Sequence, residues 1–193
     1  MTAPLRTLPA RYGVVAMTLH WIIAAAIIAN IVIGLSMTDP DILPLIALHK
    51  SIGLSVLVLS VLRLGWRLVN PVPPPPAAMS ALLRVAAYGL HHLFYFMIVA
   101  IPLAGWLMVS TGSMGHPTPV FALFDWPAFP VLTEMKRSVA HPWHAAFQTV
   151  HVWLAWAMIG LVPLHIGAAL YHHGRGDNVL LRMLPGTRLR SGA

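Results

Sequence analysis

The chain of 193 residues holds eleven histidines against five carboxylates and no cysteine. Thiolate metal sites, iron–sulfur clusters and disulfides are therefore excluded, and imidazole is the ligand this chain has to offer a metal. Two of the histidines, His151 and His165, bound the apolar stretch "HVWLAWAMIGLVPLH" fourteen residues apart. On a helix that interval is roughly 21 Å of rise, and it returns to within about 40° of the starting direction. One helix would thus present two imidazoles to the same neighbours at two depths.

The elements that must position them are apolar and long. With 58% hydrophobic and only 9% charged residues, the composition is that of a membrane protein. Four runs, about 14–37, 46–68, 86–110 and 145–171, meet the roughly 20 residues needed to cross a hydrocarbon core. Their continuity lacks the two-residue alternation of an outer-membrane barrel. The expected fold is all-α: residues 1–193 as a single integral membrane four-helix bundle. The connections are a short turn with "TDPDILP", an extended linker "NPVPPPPAAMS" and a longer segment over 111–143. The first run is too long for a signal peptide and has no clear cleavage site.

Charge orients the bundle. Arg6, Arg11, Arg63, Arg67, Arg84, Arg175, Arg182, Arg188 and Arg190 fall on one side. Lys50, Lys136 and Arg137 fall on the other, with Asp39, Asp41, Asp125 and Glu134. The positive-inside rule places both termini in the cytoplasm. The net charge of +7 is accounted for by this topology. The basic residues form no patch interleaved with aromatics, so no nucleic-acid partner is expected.

Direction then gives each histidine a depth. His20 and His165 share the cytoplasmic level, and His49 and His151 the periplasmic one. Two bis-imidazole sites stacked across the membrane fit two b haems, whose irons take axial ligands from opposite faces. Arg11 and Arg67 are expected near the cytoplasmic haem's propionates, and Lys50 near those of the periplasmic haem. Of His91 and His92, one is expected to face a haem edge or a quinone. His116, His141, His144, His172 and His173 read as interfacial, Met158 as packing, and Arg63 as snorkelling to the surface. Gly34, Gly53 and Gly105 permit close helix approach or clearance for a macrocycle. A lone intramembrane histidine can simply hydrogen-bond a neighbouring helix, but four at two matched depths argue for ligands. A haem-free, histidine-rich metal transporter would place carboxylates along a midplane path, and this midplane has almost none.

The pieces "LHW", "LHKSIGLSVLVLSVLRLGWR", "HHLFYFMIVAIPLAGW" and "LHIGAALYHHGRGDNVLLRMLP" resemble the bacterial cytochrome b561 family over about residues 11–185. The resemblance implies a di-haem, four-helix protein of the bacterial inner membrane with ligands at His20, His49, His151 and His165. It further implies an oxidoreductase exchanging electrons between ubiquinone or ubiquinol and a periplasmic redox protein or small redox species. The alternative within the family is a superoxide oxidase, passing electrons from superoxide to ubiquinone. Lys50, Lys136 and Arg137 could steer such an anion. Val152 departs from the family, whose members often carry Glu after the ligand histidine. The aromatic and proline-rich "PTPVFALFDWPAFP" is expected to lie on the outer leaflet, packing at the interface, and is a candidate to cover the periplasmic haem or border a quinone pocket.

Overall fold

The computed structural model describes residues 10–37, 43–76, 79–112 and 116–189. Arg6, Asp39, Asp41 and Arg190, counted above in the charge balance, lie outside the described residues. Four helices are long and apolar enough to cross a membrane: α1 (Val14–Ser36), α2 (Leu43–Val69), α3 (Ala81–Gly112) and α5 (Arg137–Gly174). In hydrocarbon every backbone N–H and C=O must be satisfied within the segment, which is why apolar runs of this length become helices. Their outward faces carry large apolar side chains such as Trp153, Leu68, Val69 and Leu164, all more than half exposed. A surface of this kind belongs against lipid.

Two helices start more than a turn earlier than hydropathy alone predicts. α3 begins at Ala81 rather than near residue 86, and α5 at Arg137 rather than near 145. The early turns of α5 carry Ser138, His141, Pro142 and His144, polar or helix-breaking residues that lower local hydropathy without ending the helix. Between α3 and α5 the chain forms a small antiparallel hairpin, β1 (Thr118–Val120) with β2 (Phe124–Trp126), then the short helix α4 (Pro130–Thr133).

Phe121 and Ala122, at the hairpin's tip, have φ of 50° and 57°, left-handed conformations unusual for residues with side chains. Two buried serines hold this segment. Ser51 Oγ on α2 accepts from the Phe121 N–H (3.0 Å), and Ser110 Oγ on α3 accepts from the Phe129 N–H (2.9 Å). The Trp106 indole adds a bond to the Pro127 carbonyl.

At the opposite end, the C-terminal segment folds back over the start of α1. Arg11 donates to the carbonyls of Thr187 and Leu184, Trp21 Nε1 to that of Met183 (2.7 Å), and the Tyr12 N–H to that of Arg182. Helix packing is uneven in a way that matters below. α3 lies along α5, α1 along α2, and α2 along α3, whereas α5 makes no extensive packing with α1 or α2 among the described residues. The mid-bundle core is Met97, Ile98 and Met158, joined by Ile27, Ile31, Leu154 and Leu161.

Candidate functional site

The gaps beside α5 are where the histidines meet. At the hairpin end, His49 of α2 faces His151 of α5 with ring centres 6.0 Å apart and planes at 77°. At the other end, which carries Arg63 and Arg67, His20 of α1 faces His165 of α5 at 6.3 Å and 73°. Two imidazoles bonded to one iron from opposite sides have ring centres about 6 Å apart, given metal–nitrogen bonds of about 2 Å. Both spacings suit that arrangement, and no direct hydrogen bond links the rings of either pair. Among the described residues no three histidine or carboxylate side chains converge as a metal site. Each pair offers two imidazoles.

The hairpin-end pair opens on a cavity of about 420 Å³ whose lining is mostly aliphatic, with Asn30, Lys50 and Thr118 among its few polar residues. That volume and lining suit a flat, apolar macrocycle. His151 Nδ1 donates to the Ile101 carbonyl (2.9 Å), which fixes the tautomer and leaves Nε2 as the lone-pair nitrogen. Two glycines cradle the rings. A Cβ at Gly105 would meet His151 Nδ1 at 3.1 Å, and one at Gly34 would meet His49 Cε1 at 3.3 Å. Asn30 Oδ1 is buried without a hydrogen-bond partner in the same cavity wall. Orphaned polar atoms beside an open volume are what a site built around a further group leaves behind.

The pair at the arginine end is more crowded. His165 touches Phe94 (5.1 Å) and His91 (5.8 Å) edge-on, and His20 touches Trp21 (5.2 Å). His91 Nδ1 donates to the Ala87 carbonyl, and His92 Nδ1 to that of Tyr88. Thus His91 is the member of that pair set beside a candidate ligand.

Arg63 reaches toward the helix ends, as expected, but is anchored there: its Nη1 donates to the Ala16 carbonyl (3.0 Å) and its guanidinium lies over the Tyr95 ring (5.8 Å). Inside an apolar bundle, a carbonyl and an aromatic face solvate the cation. Arg11, Arg63, Arg67, Tyr12 and Tyr95 line a second pocket of about 220 Å³ at this end. Arg11 already donates to the C-terminal carbonyls there. Burial pushes the Tyr12 phenol above its ordinary value, against the opposing pull of Arg67 and Arg63.

Of the remaining histidines, His144 donates to the Met108 carbonyl (2.9 Å), one heptad above the His151–Ile101 bond. His172 pairs with Asp177 at 2.6 Å. His116 and His141 are exposed. Sequence reasoning missed Asn30, Tyr12 and Tyr95. A lone amide within an otherwise apolar run was the available signal for Asn30.

A multi-pass membrane protein whose helices set imidazoles face to face at two levels is built as a membrane cytochrome. The family model described as "Prokaryotic cytochrome b561" matches residues 11–186, and the chain belongs to that family of membrane electron-transfer proteins. It is 34% identical over 182 residues to Cytochrome b561 homolog 2 of Escherichia coli (strain K12), covering 91% of this chain and 92% of that protein. Cytochrome b561 homolog 1 of the same strain is 33% identical over 144 residues, 71% of this chain and 73% of its own length. A Yersinia pestis protein named "Probable superoxide oxidase CybB" is 29% identical over 143 residues, 73% of this chain and 75% of its length.

Proposed function

We propose that this protein carries electrons across the bacterial inner membrane through two b haems, one held by His49 and His151 and the other by His20 and His165. The observation that carries the reading is the pair of imidazole spacings, 6.0 and 6.3 Å, at opposite ends of one bundle. Bound haem supplies a one-electron couple at each level. The chain's own contribution is to hold the ligands. Ile101 fixes the His151 tautomer, Gly34 and Gly105 leave the rings room, and Phe94 and Trp21 pack against His165 and His20. Met97, Ile98 and Met158 keep the layer between the sites dry.

The excess of arginine at the end where α1 begins and α5 ends supports a cytoplasmic position for that end by the positive-inside rule. Ubiquinone in the bilayer is the proposed partner for one end of the path, and a periplasmic redox species for the other. A second reading, superoxide:ubiquinone oxidoreductase, is favoured by Lys50. It lines the hairpin-end cavity beside His49, where an ammonium attracts a small anion. The printed name of the Yersinia pestis relative points the same way.

Haem analysis of the purified protein tests the first reading. Two b haems per chain are expected, and none, or only one, defeats it. Ubiquinone reduction driven by a superoxide source, compared with quinol oxidation by a periplasmic acceptor, separates the two activities. A Lys50→Gln variant with unchanged superoxide-driven turnover defeats the second reading.

A further inference from the structure

Arg63 is a half-buried cation within α2, and the electron path as described gives it no task. It reaches α1 through the Ala16 carbonyl and α3 through the Tyr95 ring. It thereby sits among the three helices around the pair at its end. Ala16 lies one turn before His20 on α1, and Tyr95 follows Phe94, whose ring touches that of His165. No carboxylate neutralises it: among the described residues the one ion pair is His172 with Asp177. The other pair is electrically different. Its neighbouring cation, Lys50, lines a cavity of about 420 Å³ instead of lying against a carbonyl and a ring.

We infer that Arg63 raises the reduction potential of the His20–His165 site above that of the His49–His151 site, and so sets the direction of electron flow from the hairpin end to the arginine end. Adding an electron to a metal site adds one unit of negative charge. A fixed cation in a medium of low dielectric favours that reduced state. A half-buried guanidinium tied to a carbonyl and a ring is screened less than a surface charge. One electron leaves the hairpin-end site as the arginine-end site gains it, and no proton is required. The inference rests on the two-haem reading and adds to it an order of potentials.

The test is a redox titration followed in the visible bands of the solubilised, haem-loaded protein. It is repeated in a His151→Ala background so that the arginine-end couple is seen alone. Arg63→Gln should lower that couple by about tenfold in its equilibrium constant, ~59 mV for one electron, and leave the other where it was. Arg63→Lys, which keeps the charge, should recover most of the shift. Tyr95→Leu keeps the charge but removes the ring that holds it, and should move the same couple down by a smaller step. It serves as the readout if Arg63→Gln does not assemble. An arginine-end couple that stays put or rises, or an equal shift of both couples, overturns the inference. Failure of the underlying reading would show instead in the wild-type protein, as missing haem.

Discussion

The two histidine pairs share one helix yet are built on different principles. At the hairpin end the site is a prepared volume: a cavity of about 420 Å³, two glycines against the rings, and a backbone carbonyl that fixes His151. At the arginine end the pair is wedged among aromatic rings, beside a guanidinium and beneath the returning C-terminal segment. On the proposed two-haem reading, the first site would hold its group by shape, and the second would act on its own by charge. A protein that passes electrons between two chemically similar centres needs such a difference, because equal centres give the electron no preferred place to rest.

The largest effects should come from removing a ligand, and they test whether the sites are separate at all. His151→Ala and His49→Ala should each lower haem content from two per chain to one and delete the same spectral component. His20→Ala and His165→Ala should delete the other. Loss of a shared component by His151→Ala and His165→Ala would break the pairing. The next effect in size should fall on one site only. In Gly105→Ala the new Cβ stands 3.1 Å from a ring atom that a hydrogen bond holds in place. Haem retention at the hairpin end should weaken by about 10- to 100-fold, the range seen when the groups that orient a ligand are disturbed. The arginine-end component should be unchanged, as measured by haem loss to an acceptor protein. Gly65→Ala, where nothing lies within 4 Å, is the matched control.

How much of this was legible in the sequence follows from which interactions are local. The placement of His151 and His165 on one face is arithmetic of the helical repeat, and α5 carries it in the structure. Four spans were legible because hydrocarbon imposes length and apolarity on each helix separately. The anchoring of Arg63 was not, since it depends on Tyr95 and Ala16, which reach it only once three helices have packed. Nor was the hairpin. "PTPVFALFDWPAFP" has none of the glycine or asparagine that signals a tight turn. Its left-handed Phe121 and Ala122 are held by the hydroxyl of Ser51, seventy residues away.

That distant serine gives a third prediction. Ser51 is 2% exposed, and its hydroxyl both accepts from Phe121 and donates to the Ala47 carbonyl. Ser51→Ala leaves a strained turn without its tether, at a cost of about 1–2 kcal/mol. The loss should be confined to the hairpin. Hydrogen exchange at Phe121 and its neighbours should rise while that of α5 holds, and small water-soluble reductants should reach the hairpin-end haem faster. Equal rates in variant and wild type would mean that Ser110 and Trp106 hold the cover by themselves.

The smallest effect belongs to Tyr12, at the opposite end, and it concerns pH. Burial raises this phenol above its ordinary value even though Arg67 and Arg63 pull it down. A folded value above the unfolded one means that folding favours the protonated form. The contribution is therefore fully present below the ordinary phenol range, near pH 10, and is lost as pH climbs through the higher folded value. Thermal unfolding in detergent between pH 8 and 11 should show an alkaline decline that Tyr12→Phe flattens, by less than about 1 kcal/mol. Tyr171→Phe, at an exposed position, should leave the decline as it is. The same variant sharpens the contrast between the two ends. Tyr12 lines the arginine pocket and has no counterpart beside His49, so the flattening should come with no change in the hairpin-end haem. A change there would mean that the two ends are coupled through α2, the helix that carries both Arg63 and His49.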